Sequence, residues 1–167
     1  MTPKPPNDEE AANVDLPHFR RALSCFATGV AVVTAVDTAG TGVGITINSF
    51  SSVSLEPPLV LWSVAESSYS YDVFTRAEFF AVNVLSKDQE SLADRFAQRK
   101  DNKFDGIACR EGLNGVPLLP EFAACFECRT EHIYAGGDHK IIVGRVLRFE
   151  DHETDPLIFY RGDYLRS

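Results

Sequence analysis

Long apolar runs are missing from this 167-residue sequence; none approaches the ~20 residues a membrane-spanning helix needs, so no membrane span is expected. The first residues, MTPKPPNDEEAA, are Pro-rich and acidic and lack the apolar stretch of a secretory signal. Residues 1–14 are therefore expected as a disordered tail. Cysteine is sparse: Cys25, Cys109, Cys125 and Cys128 show no disulfide framework, and without an export signal they are expected as reduced thiols in the cytoplasm. Cations are few as well. Sixteen Lys and Arg face 24 Asp and Glu, a formal charge of −8, which argues against a nucleic-acid binder, whose affinity rests on neutralising phosphates. There is no G-x-G-x-x-G and no arguable Ser/His/Asp arrangement. Cys125 and Cys128 have metal-like spacing but no second pair, and in a strand residues three apart face opposite ways, so zinc is rejected.

What is present suits one globular domain, residues 15–167: 44% hydrophobic and 24% charged residues are enough to build a core. Leu16, Phe19, Leu23 and Phe26 recur at the helical period over 15–27, with Asp15 as cap, Pro17 in the first turn and Gly29 as stop. Strand after strand follows. VAVVTAV (30–36) and VGITINSF (43–50) form a hairpin, and LVLWSV (59–64) reads as buried on both faces. A short helix over 68–76 precedes strand FFAVNVL (79–85). Ser86 with Gln89 forms a capping box that opens a helix to about Gln98. After a loop over 100–120, strands are expected at 122–134, 139–149 and 157–160. Many strands joined by short turns, with few helices, predict a mainly β fold: a closed antiparallel barrel of Greek-key type.

Four stretches carry chemistry. GITINSFSSVSLEPP (44–58) lines up small polar side chains that let a ligand reach the backbone, although a polar strand end running into a surface loop is the commoner outcome of such composition. Arg95, Arg99, Lys100 and Lys103 form the densest basic group of an acidic chain, either an anion seat or a solvated helix face, since Asp94 and Asp101 are interleaved. Gly136-Gly137-Asp138-His139 is a tight turn entering the apolar strand KIIVGRV; His139 can bond a carboxamide or phosphate, or be incidental to a hairpin. The segment 159–164, FYRGDY, offers an aromatic and an arginine able to stack on and pair with a dinucleotide, or is simply a last strand and turn.

In order and spacing, TGVAVVTA, GITINSFSSVSLEPPLVLWSV, FFAVNVLS, KFDGI, GGDHKIIVGRV and LIFYRGDY resemble the flavin reductase family. More narrowly they resemble reductase components of two-component flavin-dependent monooxygenases, from about Phe19 to Tyr164. The resemblance implies a split β-barrel, a homodimer, FMN or FAD near the subunit interface, and NADH or NADPH as reductant. It assigns flavin contacts to Thr46, Ile47, Asn48, Ser49, Ser51 and Ser52, to Ser67, Ser68 and Tyr69, and to Lys103 and Phe104. Tyr69 stands where the family often has a more basic residue, and Lys103 is the member of the basic group it favours. The nicotinamide side falls on His139, Phe159, Tyr160, Arg161 and Gly162, with His139 the catalytic candidate.

These residues suit hydride transfer, in which the cofactors carry the chemistry and the protein holds two rings stacked. The expected function is an NAD(P)H:flavin oxidoreductase that supplies diffusible reduced flavin to a separate monooxygenase. Two alternatives stand beside it. One is a non-enzymatic flavin-binding or electron-transfer protein; the other is a reductase of another substrate that keeps flavin as a fixed cofactor.

Overall fold

A computed structural model describes residues 14–165, so almost all of the expected tail lies outside the described residues, as do residues 166 and 167. The first helix, α1 (Leu16–Leu23), starts at Asp15, whose carboxylate accepts a 3.4 Å bond from the His18 N–H. It ends four residues before expected, and Gly29 belongs instead to a two-residue strand, β1 (Thr28–Gly29). The helical period is there, but its apolar stripe is not in the core: Leu16, Phe19, Leu23 and Phe26 are all exposed.

Seven strands build the body. The hairpin β2 (Ala31–Val36) and β3 (Gly42–Ile47) forms as expected. It is followed by β4 (Ser51–Leu55), β5 (Pro58–Ala65), β6 (Phe79–Val84), β9 (Ala124–Gly136) and β10 (His139–Asp151). The short pair β7 (Arg110–Glu111) and β8 (Pro117–Leu118) lies within the expected loop, and β11 (Ile158–Tyr160) pairs with both β1 and β12 (Asp163–Leu165). The seven-stranded sheet is antiparallel throughout, in the order β3-β2-β6-β9-β10-β5-β4. Its two edge strands, β3 and β4, are consecutive in the chain. Residues 48–50 join them, and a link this short spans at most ~14 Å at ~3.5 Å per residue. The sheet must therefore curl until its edges face each other, yet the two edges do not pair. This is an antiparallel split barrel, in which β2 lies beside β6 and β5 beside β10 although neither pair is consecutive in the chain.

The interior explains the register. Val60, Trp62 and Val64 point inward from β5, and Trp62 meets Phe74 and Phe80 edge-on at 5.0 and 5.9 Å. Leu59 and Leu61 are only half-buried, so the reading of β5 as covered on both faces is corrected. An antiparallel barrel has one inside, and no helix layer covers the other face of this strand. Buried Asn83 fastens the loop that ends at Leu119: its amide donates to Val32 O (3.0 Å) and Thr34 Oγ1 (3.2 Å), and its carbonyl accepts from the Leu119 N–H (2.9 Å). Cys125 packs with Ala81, Val116 and Phe122, whereas Cys128 packs with Trp62 and Phe80 on the opposite face. Burial pushes both thiols up to about 12.

The expected helix at 68–76 is one turn, α2 (Tyr71–Phe74). The third, α3 (Glu90–Ala97), begins after Gln89, whose side-chain oxygen accepts from the Ser86 N–H at 3.0 Å, so half of the expected capping box is made. Ala93 and Phe96 anchor its buried face. The tightest approach in the sheet is at Gly144, where an added Cβ would lie 2.4 Å from Phe80 Cζ and 3.0 Å from Cys128 Cβ. Overpacking of this kind costs about 1–3 kcal/mol. Gly144→Ala is therefore expected to lower the thermal midpoint by about 2–12 °C in a chain of this size, read by circular dichroism melts.

Candidate functional site

A free sheet edge is a row of backbone N–H and C=O groups without partners. The crossing from β3 to β4 is the part of this barrel where two such edges meet, and it coincides with the stretch Thr46 to Ser52. The crossing is fixed from both sides. The Thr46 hydroxyl donates to Ala93 O in α3 (2.6 Å), and the Ser49 hydroxyl accepts from the Ser63 N–H in β5 (3.0 Å). Thr46, Ile47 and Asn48 line an open cleft of about 250 Å³ together with Val30, Ala97, Phe159 and Tyr164. The structure thus unites the first expected flavin stretch with one residue of the C-terminal segment. Ser51 and Ser52 continue, exposed, onto β4.

Tyr164 ends the 159–164 segment but is not among the contacts the resemblance assigns, which stop at Gly162. It stands directly opposite Phe159 across the β11–β12 pair, and the rings meet at 5.6 Å. Its hydroxyl donates to Asp94 (3.1 Å), and burial together with that carboxylate pushes its pKa up to about 12, so it stays protonated at neutral pH. Strand pairing was the signal: a two-residue turn at Arg161-Gly162 places Phe159 and Tyr164 face to face. Arg161 and Gly162 both have positive φ (51° and 88°), the turn type that matches strand twist. The Arg161 Nε donates to the hydroxyl of its own neighbour Tyr160 (2.9 Å), and its guanidinium lies 5.5 Å from that ring centre.

His139 opens β10 opposite Ala65 of β5, two residues beyond Ile141, whose partner Ser63 holds Ser49. Two strand residues span about 7 Å, so His139 stands one repeat from the crossing. Only Gly137 of the turn has positive φ (68°). The His139 Nδ1 lies 2.7 Å from Asp138 Oδ1, a contact that holds the Asp138 carboxyl below its ordinary range. With Nδ1 engaged, Nε2 is the ring nitrogen turned to other partners.

The remaining expected contacts lie elsewhere. Tyr69, Lys103 and Phe104 line a second cleft further along β3, about 380 Å³ in volume, with Gly42, Gly44, Lys100 and Asp101. The Tyr69 hydroxyl donates to Asp101 (2.9 Å), and Phe104 packs edge-on against Phe96 at 4.9 Å. Ser67 and Ser68 form the turn before α2, where a single helical turn aligns too few peptide dipoles to make an anion seat. Lys103 was expected to present its charge to a phosphate. Instead its ammonium is buried and donates to Gly44 O (3.1 Å) and Phe96 O (3.0 Å), closing the last turn of α3 against β3. Burial and nearby Lys100 hold its pKa below the usual lysine value. Removing it orphans two buried carbonyls at about 1–3 kcal/mol each. Lys103→Met is therefore expected to lower the thermal midpoint by several degrees, about 2–4 °C per kcal/mol, in melts followed by circular dichroism.

The sequence can now be set beside known proteins. The family described as flavin reductase like domain matches residues 23–166. The chain is 49% identical over 148 residues to the FMN reductase (NADH) of Agrobacterium fabrum, covering 89% of this chain and 84% of that one. It is 46% identical over 146 residues to a probable flavin reductase of Rhizobium meliloti, covering 87% of this chain but 47%, about half, of that protein's length. The reductase subunit of a flavin-dependent monooxygenase of Rhodococcus jostii is 41% identical over 155 residues, covering 92% of this chain and 79% of that one. Among solved structures, the NADH:FAD oxidoreductase of Streptomyces globisporus, in complex with NAD and FAD fragments, superposes with a TM-score of 0.86 at 36% identity, over 92% of this chain and 93% of that one. A match over nearly the whole described barrel, with relatives near half identity, leaves one conclusion: this chain belongs to the flavin reductase like domain family.

Proposed function

We propose that this protein oxidises NADH or NADPH and reduces free FMN or FAD, releasing the reduced flavin to a separate monooxygenase. The observation that carries the reading is the cleft of Thr46, Ile47, Asn48, Phe159 and Tyr164 at the unpaired β3 edge. Free backbone groups suit the polar rim of an isoalloxazine, and the two aromatic side chains suit its flat face. With both ligands bound, a hydride passes from nicotinamide C4 to flavin N5. The chain's own task is placement. The Ser49 and Thr46 bonds fix the edge, and Nε2 of His139, backed by Asp138, orients the dinucleotide with Arg161. The names of the relatives from Agrobacterium and Rhodococcus support the reductant and the oxygenase partner.

The protein acts as a homodimer built from the single domain 15–167. A cleft of about 250 Å³ is smaller than the ~300–1,000 Å³ of ligand sites, so a second copy completes its wall. The exposed apolar residues Phe26 (80%), Leu55 (94%) and Phe149 (71%) give that copy something to cover. Free, unpaired cysteines are in keeping with the cytoplasm. Among the described residues no helix is long and apolar enough to cross a membrane.

The test is NADH loss with purified protein, followed by the absorbance of the reduced nicotinamide. Oxidation is expected only when FMN or FAD is added, in proportion to the flavin supplied. Steady oxidation without added flavin would instead mark a fixed cofactor. A second variant examines placement. His139→Ala removes one hydrogen bond of about 0.5–3 kcal/mol, so kcat/KM for NADH is expected to fall roughly 3-fold to 100-fold with flavin affinity little changed. A loss of thermal stability with intact NADH kinetics would reduce His139 to a hairpin residue.

A further inference from the structure

Both walls of the cleft at Thr46 are tied to one helix, at neighbouring residues. The β3 wall is held where the Thr46 hydroxyl donates to Ala93 O at 2.6 Å. The C-terminal wall is held where the Tyr164 hydroxyl donates to Asp94 Oδ1 at 3.1 Å. Ala93 is fully buried and Asp94 beside it is exposed, so α3 is seated in the core by one residue and reaches out with the next. Ala97, one turn on from both, lines the same cleft.

The two ties do not carry equal weight. Thr46 belongs to the six-residue strand β3, paired along its whole length with β2, so that wall is held by its ladder as well. Tyr164 lies on β12, three residues long, the outer strand of the small sheet and paired with β11 alone. Its ring meets Phe159 edge-on at 5.6 Å and 64°, a contact that leaves its distance from β3 open. A tyrosine ring turns about two side-chain torsions, and an anchor at its far end, the hydroxyl, restrains both. Burial and the Asp94 carboxylate push the Tyr164 pKa up to about 12, so the hydroxyl keeps the proton it donates. Among the described residues Asp94 makes no other hydrogen bond or ion pair.

Resting on the flavin-reductase reading above, we propose that Asp94 is a positioning residue: by holding the Tyr164 hydroxyl it sets the spacing between the Tyr164 ring and the β3 edge, and so how tightly the flavin is held before release. Asp94 does not itself line the cleft, so it acts through Tyr164.

The test is titration with FMN and with FAD, read by quenching of flavin fluorescence, beside steady-state kinetics and circular dichroism melts. In Asp94→Ala the flavin dissociation constant and the KM for flavin are expected to rise about 3-fold to 10-fold, the loss of one solvent-exposed, charge-assisted bond. The kcat at saturating flavin is expected to stay within about twofold of wild type, because the bond places the ring and takes no part in hydride transfer. Tyr164→Phe keeps the ring and removes only the hydroxyl, so it is expected to match Asp94→Ala and serves as the test should that variant fail to fold. The double variant is expected to bind no more weakly than either single one, since both remove the same bond. Asp94→Asn keeps an oxygen acceptor and is expected to restore most of the affinity. The proposal is overturned if Tyr164→Phe or folded Asp94→Ala binds flavin as wild type does, if the two effects add, or if Asp94→Asn is as weak as Asp94→Ala. A lowered melting temperature with unchanged flavin affinity would likewise overturn it and leave the bond a structural tie. Wild-type protein that binds neither flavin overturns the reductase reading and the proposal with it, a result that no loss confined to the variants can imitate.

Discussion

Two strand edges that face each other and do not pair are the constraint on which this molecule is built. Because β3 and β4 are consecutive and only residues 48–50 separate them, the sheet has to close on itself; because they stay unpaired, it closes with a seam. A fully closed barrel satisfies all its backbone groups internally and leaves a flat polar ligand nothing but side chains to bind. The seam leaves backbone donors and acceptors free at a fixed spacing, and the Ser49–Ser63 and Thr46–Ala93 bonds keep that spacing rigid.

The rest of the fold holds the seam open and in place. Trp62, Phe74 and Phe80 fill the interior behind it, and Asn83 pins the loop reaching Leu119 to the opposite side of the barrel. Helix α3 lies along β3, joined to it at Thr46 near one end and through Lys103 and Gly44 near the other. A lysine buried on backbone carbonyls performs a structural task there, favourable beside the carbonyl end of a helix. A net acidic chain thus spends two of its clustered cations on backbone carbonyls, Arg95 on the loop after α3 and Lys103 on α3 and β3.

Part of the surface is apolar and exposed. Leu16, Phe19 and Leu23 make an apolar stripe on α1 that meets no core, Phe26 just beyond it is exposed too, and Leu55 and Phe149 stand out from the sheet. These residues and the small cleft carry the same information. Both are what the proposed homodimer would cover.

The sequence determined much of this by itself. Runs of β-branched and apolar residues placed β2, β3 and β6, the glycines of residues 136–137 placed the β9–β10 turn, and the small polar run at 44–58 coincides with the β3–β4 crossing. Those signals are local: they depend on side-chain period and on turn conformations that few residues adopt. What only the tertiary structure decided was the fate of groups whose role depends on distant partners. The period of α1 could not say that its stripe would lie exposed, and the apolarity of β5 could not say that one face would remain half open. The pairing of Tyr164 with Phe159 depends on a turn whose arginine takes a left-handed conformation that composition does not announce. Above all, four neighbouring cations look alike in sequence. Which of them is buried on carbonyls and which stays exposed depends on the carbonyls of Gly44, Phe96 and Ser67, set there by long-range packing.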